Sequence, residues 1–129
     1  MKDMKNLLLV EDSVDLCQQV IESLAKEGRF KTDVANTANE AREKLTSNVY
    51  DVLILDYHLP DSKGLDIIRQ LKDEGKSVQC PIIMLTTESE EQGSEVKDLN
   101  VICWCLKPVS MPRLVDLIDQ VVQFANESK

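Results

Sequence analysis

Two hydrophobic periodicities alternate along the chain. Short β-like runs occupy 6–10, 30–35, 51–55, 81–85 and 101–106. Between them, apolar residues recur every three or four positions, the spacing of one helix face. The first such face carries Val14, Cys17, Val20, Ile21 and Leu24, and the second Ala38, Ala41 and Leu45. The third carries Leu65, Ile68 and Leu71, and the last Leu114, Leu117, Ile118, Val121 and Val122. Ser13, Thr37 and the pair Ser110 and Pro112 stand where helices should open, because a side-chain oxygen there can accept a free N–H of the first turn. Gly28 and Gly75 are the corresponding stops. The segment 88–99 should be the fourth helix and has the weakest pattern. It is crowded with Glu88, Glu90, Glu91, Glu95 and Asp98, is interrupted by Gly93, and has only Val96 and Leu99 as anchors.

The order is therefore (βα)5. Strands alternating with helices predict an α/β fold, a doubly wound parallel sheet covered on both faces by right-handed crossovers. Runs such as Leu7–Val10 and Ile82–Leu85 are apolar throughout, as strands buried on both faces should be. No repeat or linker interrupts the 129 residues, so one domain is expected over 1–129.

The strand ends carry the chemistry. Asp56 ends the run Val52-Leu53-Ile54-Leu55, Glu11-Asp12 ends Leu7-Leu8-Leu9-Val10, and Lys107-Pro108 closes 101–106. In an open parallel sheet these C-terminal ends lie side by side, and ligand sites form there. Three carboxylates would then crowd one lysine, repelling at roughly 4 kcal/mol per pair at 4 Å and an effective dielectric near 20. A divalent cation resolves that conflict, and Mg²⁺ suits an all-oxygen pocket.

Composition narrows the partners. The net charge of −8 disfavours direct binding to nucleic acid, which needs clustered lysine and arginine. No 18-residue apolar stretch or signal-peptide pattern is present, which predicts a cytoplasmic protein that does not enter the membrane. Cys17, Cys80, Cys103 and Cys105 match no zinc spacing, and the one histidine, His58, is distant in sequence. They read as small core residues in a reducing compartment, with Cys103 and Cys105 on one strand face.

The acidic pair Glu11-Asp12, Asp56, Pro60 with Gly64, Thr86, Trp104 and Lys107-Pro108 come in that order on a (βα)5 frame. In this the chain resembles the receiver domain of bacterial two-component response regulators, in its single-domain, chemotaxis-regulator-like form, over nearly its whole length. The resemblance implies a flavodoxin-like strand order 2-1-3-4-5. It implies a phosphoacceptor switch in which Asp56 takes a phosphoryl group from the phosphohistidine of a sensor histidine kinase or a histidine phosphotransfer protein. Asp12, Asp56 and the backbone carbonyl of His58 would ligate Mg²⁺, with Glu11 acting through water. Lys107 would pair with the phosphoryl group, its peptide bond to Pro108 being cis, and Thr86 would donate a hydrogen bond to it. Trp104 would then turn inward and remodel the face formed by the fourth helix, the fifth strand and the fifth helix. That face would meet a downstream protein target, and a homodimer if one forms. Thr87, Glu88 and His58 would tune access to the phosphoryl group and its lifetime. No enzyme activity is implied beyond self-catalysed phosphoryl transfer and dephosphorylation. Unless the chain is cut from a longer one that carries an effector domain, output would run through protein contact.

Several positions depart from the family's pattern. Glu11 replaces an aspartate and should sit further from the metal, Thr87 is bulkier than the usual alanine or glycine, and Ser62-Lys63 precede Gly64. Asp98-Leu99-Asn100-Val101 lacks the usual Gly-Ala turn before the fifth strand, and Trp104 is larger than the usual tyrosine or phenylalanine. Asp15, Asp51, Asp61 and Asp66 read as solvated or capping groups. Other functions on this topology fit less well. A flavin phosphate would meet repulsion at Glu11-Asp12, and an aspartyl-phosphate hydrolase needs a second aspartate where His58 stands. A receiver-like scaffold that is never phosphorylated is the alternative reading.

Overall fold

The computed structural model describes residues 4–87 and 99–127, with side chains described as far as residue 124. Its elements are β1 (Lys5–Val10), α1 (Val14–Ala25), β2 (Phe30–Ala35), α2 (Ala38–Ser47), β3 (Val52–Asp56), α3 (Gly64–Asp73), β4 (Ile82–Thr86), β5 (Val101–Leu106) and α4 (Met111–Glu127). The helix expected over 88–99 lies outside the described residues as far as 98, as does Glu88. Leu99 and Asn100 form a turn.

All four strand pairings are parallel, and the sheet order is β2-β1-β3-β4-β5. The apolar alternation splits the core into two layers. Leu8, Val10, Leu53, Leu55, Ile82 and Met84 face the side covered by α2 and α3. Leu7, Leu9, Val52, Ile54, Ile83 and Leu85 face the side covered by α1 and α4. Cys103 and Cys105 share the second layer, and all four cysteines are free thiols.

The opening residues act as expected. Ser13 Oγ accepts from Leu16 N at 3.2 Å, Thr37 Oγ1 from Glu40 N at 3.1 Å, and Ser110 Oγ from Arg113 N at 3.3 Å. Gly28 and Gly75 end α1 and α3 at φ of 66° and 76°, the left-handed conformation that a Cβ disfavours. Val14 corrects the pattern. As the first residue of α1 it points outward and is 75% exposed, so the buried face runs from Cys17 through Val20 to Leu24.

The unusual approach to β5 also has a physical account. Asn100 takes φ 57° where glycine is common, and its Nδ2 donates to the Val78 carbonyl at 2.8 Å. Asparagine tolerates that conformation because its short polar side chain can bond locally. Just beyond, the β4–β5 register skips Ile102, which is 44% exposed.

Candidate functional site

The C-terminal ends of β1, β3, β4 and β5 stand next to one another, and the expected residues meet there. Backbone bonds set the spacing. Glu11 N donates to Ala35 O at 3.0 Å, Tyr57 N to Leu85 O at 2.8 Å, and Lys107 N to Thr86 O at 2.7 Å. Each residue at the rim is thus tied to the neighbouring strand before its side chain is considered.

Carboxylate oxygens of Glu11, Asp12 and Asp56 lie within 4.8 Å of one another. Lys107 Nζ reaches between two of them, 2.6 Å from Glu11 Oε1 and 3.0 Å from Asp56 Oδ2. Asp56 Oδ1 accepts the His58 N–H at 3.1 Å, and Glu11 Oε2 accepts the Ser13 N–H at 2.9 Å. Glu11 and Asp56 are buried, whereas Asp12 is exposed.

Burial pushes the Glu11 carboxyl above its ordinary pKa, and the Asp56 charge adds to this, against the pull of Lys107 and the Ser13 N–H. Burial also opposes the charge on Lys107. Hydrogen bonds and Coulombic attraction from Glu11 and Asp56 outweigh it, so its pKa rises. The lysine is held as an ammonium by two carboxylates. One cation against three carboxylates leaves an acidic excess, and every donor is an oxygen. That set suits a hard divalent cation such as Mg²⁺.

Glu11 has a role the sequence pattern did not suggest. Its longer side chain turns inward, and each oxygen already accepts one hydrogen bond. It is the closer of the two partners of Lys107. The signal in the sequence was the extra methylene alone, which fixes no direction.

The remaining expected residues surround this cluster. Thr86 ends β4 and is 5% exposed, while Thr87 and Pro108 are exposed, and the Lys107–Pro108 peptide is cis. Trp104 is half-buried, with its ring 6.0 Å from that of Tyr57 and tilted by 49°. Tyr57 in turn meets His58 edge-on at 4.9 Å and lies 5.8 Å beneath the Lys63 ammonium. Asp61, expected to be solvated or capping, accepts the Ala38 and Asn39 N–H groups at the start of α2. Asp51 accepts the Asn6 N–H at 2.7 Å. Among the described residues no helix is long and apolar enough to cross a membrane.

Comparison with known proteins agrees with this geometry. The response regulator receiver domain model matches residues 7–119. The regulatory protein VanRB of Enterococcus faecalis is 30% identical over 118 residues, covering 91% of this chain and 52% of its own length. The aerobic respiration control sensor protein ArcB of Escherichia coli is 34% identical over 117 residues, covering 88% of this chain and 14% of its own. The chain thus spans about half the length of VanRB and far less of ArcB. The chemotaxis protein CheY4 of Vibrio cholerae has 28% identity and a TM-score of 0.80, with 92% of this chain and 98% of that one covered. A receiver domain protein (CheY-like) from Methanospirillum hungatei JF-1 shares the fold at a TM-score of 0.85 and 21% identity, covering 98% and 100%. With a family match over most of its length and this acidic cluster at the strand ends, the chain belongs to the receiver domains of two-component response regulators.

Proposed function

We propose that Asp56 is the phosphoacceptor of a two-component phosphorelay. The donor is a phosphohistidine on a sensor histidine kinase or a histidine phosphotransfer protein. A carboxylate oxygen of Asp56 attacks phosphorus in line, the P–N bond breaks, and its electron pair returns to the imidazole. Because Asp56 is an acceptor and not a turnover centre, the chain acts on no external substrate beyond self-catalysed phosphoryl transfer and dephosphorylation.

The single observation behind this reading is the ammonium of Lys107 lying 3.0 Å from Asp56 Oδ2 inside a three-carboxylate cluster. Phosphoryl transfer needs positioning and neutralised charge more than covalent assistance. Lys107 supplies one positive charge beside the acceptor oxygen. Asp12, Asp56 and the His58 carbonyl are the groups that would hold Mg²⁺, with Glu11 in an outer position through water. When bound, Mg²⁺ supplies the further charge neutralisation that the equatorial phosphoryl oxygens require. Thr86 donates its hydroxyl to a phosphoryl oxygen, and Thr87, His58 and Glu88 tune access for water.

Output runs through the face built on β5, α4 and the expected fourth helix. Ile102, Trp104 and Leu106 alternate along β5, and the first and last are 44% and 52% exposed on an edge strand. An apolar strip there suits a protein partner, whether a downstream target or a second copy. An inward turn of Trp104 against Tyr57 changes that strip.

Incubation with acetyl phosphate, with and without Mg²⁺, tests the reading by mass spectrometry. Wild type should gain one acid-stable, base-labile phosphoryl group only when Mg²⁺ is present, and Asp56→Asn should gain none. An unchanged wild-type mass, while a control receiver is modified alongside, would leave only the scaffold role.

A further inference from the structure

The two loops that carry the carboxylates are joined a second time, behind the site, through the start of α2. On one side, Asn36 Nδ2 donates to the backbone carbonyl of Glu11 at 2.9 Å. On the other, Asp61 reaches across from the turn after β3. Its Oδ1 accepts the Ala38 N–H at 2.8 Å and its Oδ2 the Asn39 N–H at 3.1 Å. These are the first two N–H groups of α2, and Thr37 takes the third, that of Glu40. A carboxylate is well suited to that position, because the N–H groups lack partners within the helix and its dipole is positive there.

The turn bearing Asp61 is stiff. Leu59 N donates to Ser62 O at 3.1 Å, Gly64 N to Tyr57 O at 2.8 Å, and His58 and Lys63 form an antiparallel bridge. A shift of Asp61 therefore carries His58 with it. α2 buries only two small side chains, Ala38 and Ala41, both in its first turn, so the hydrogen bonds to Asp61 are a large share of what holds it.

We infer that Asp61 is a positioning residue: by gripping α2 it fixes the Asp56–His58 turn against the Glu11-Asp12 loop and so preorganises the divalent cation site. The inference rests on the Mg²⁺ reading of that site and adds a group outside it. Groups that orient metal ligands from outside are costly to lose, by about 10–100-fold in affinity. Asp61 acts through a turn and not through a ligand itself. The expected loss lies at or below the low end of that range, roughly three- to tenfold.

The test is a titration with magnesium chloride, read by calorimetry, beside thermal unfolding in EDTA. Asp61→Ala should weaken Mg²⁺ binding by that factor. Asp61→Asn should recover part of it, because its amide oxygen can still accept one of the two N–H groups. Thr37→Ala removes a local cap of the same helix and lowers its stability, yet should leave Mg²⁺ affinity unchanged. Equal affinity in wild type and Asp61→Ala overturns the inference. So does an equal loss in Thr37→Ala, which would reduce Asp61 to a stabiliser of α2. If Asp61→Ala does not fold, Asp61→Asn against Thr37→Ala decides the same question. Failure of wild type itself to bind Mg²⁺ would instead overturn the site reading and this inference with it.

Discussion

Gly64 lies so close against Asp56 that a Cβ at 64 would stand 2.3 Å from the Asp56 carbonyl oxygen and 2.9 Å from Leu55 Cγ. The first clash is with backbone, so no rotamer change relieves it. Gly64→Ala should push the end of β3 and move the acceptor carboxylate with it. We expect a cost of about 1–3 kcal/mol, the usual range for overpacking a filled core, together with slower phosphorylation by acetyl phosphate. Urea denaturation measures the first and time-resolved mass spectrometry the second. Wild-type values for both would show that the turn absorbs a methyl group there.

Lys107 offsets two buried carboxylates at once. Lys107→Met removes the cation but keeps most of the stem, leaving Glu11 and Asp56 facing each other without a counter-charge. Breaking a buried pair commonly costs about 3–5 kcal/mol. The lysine side chain is 18% exposed, so a loss of roughly 2–3 kcal/mol in EDTA is the expectation. Added Mg²⁺ should then stabilise the variant more than it stabilises wild type, since a bound cation replaces the missing charge. Chemical denaturation with EDTA and with Mg²⁺ checks both statements, and equal stability of the two proteins in EDTA contradicts them.

Asn100 offers a test of the turn before β5. Asn100→Gly keeps the left-handed backbone and loses only the side-chain bond to the Val78 carbonyl, worth about 1 kcal/mol. Asn100→Ala loses that bond too but keeps a Cβ in the left-handed conformation, which leaves it about 1–2 kcal/mol less stable than the glycine variant. The alanine variant should therefore be the less stable of the two by urea midpoint. The reverse order would mean that a Cβ at position 100 is not strained by the left-handed backbone.

The strand ends were legible because strands buried on both faces read as uninterrupted apolar runs, so Glu11 with Asp12, Asp56 and Lys107 stand out as the first charges beyond them. Helix openings were legible because Ser13, Thr37 and Ser110 act on neighbours three residues away. What escaped the sequence involves longer reach or direction. Val14 fits a helix face by spacing, yet at the first helical position it points to solvent. Asp61 looked like any turn aspartate, because the N–H groups it holds lie 23 and 22 residues earlier. The inward turn of Glu11 depends on how far Lys107 can reach from the end of β5 past β4 and β3, which spacing does not encode.

The cysteines give a pH dependence whose sign follows from burial. Burial raises the Cys17 thiol to about 11, with the Glu11 and Asp12 charges adding to it, and raises Cys80 to about 12. In the unfolded chain a thiol titrates near 8.5. The folded values are higher, so folding favours the neutral thiol. This contribution is fully present below about pH 8.5 and declines as pH rises from there toward the folded values. Two outcomes follow. At pH 8 iodoacetamide should label Cys80 only through transient opening, far more slowly than a denatured control, because the thiolate is the nucleophile. Stability should fall between about pH 9 and 11, and Cys80→Ala should fall less steeply, whatever it loses at neutral pH from the smaller side chain. Rapid labelling of Cys80 in the native protein, or an unchanged slope in Cys80→Ala, would mean that this thiol is not held neutral by the fold.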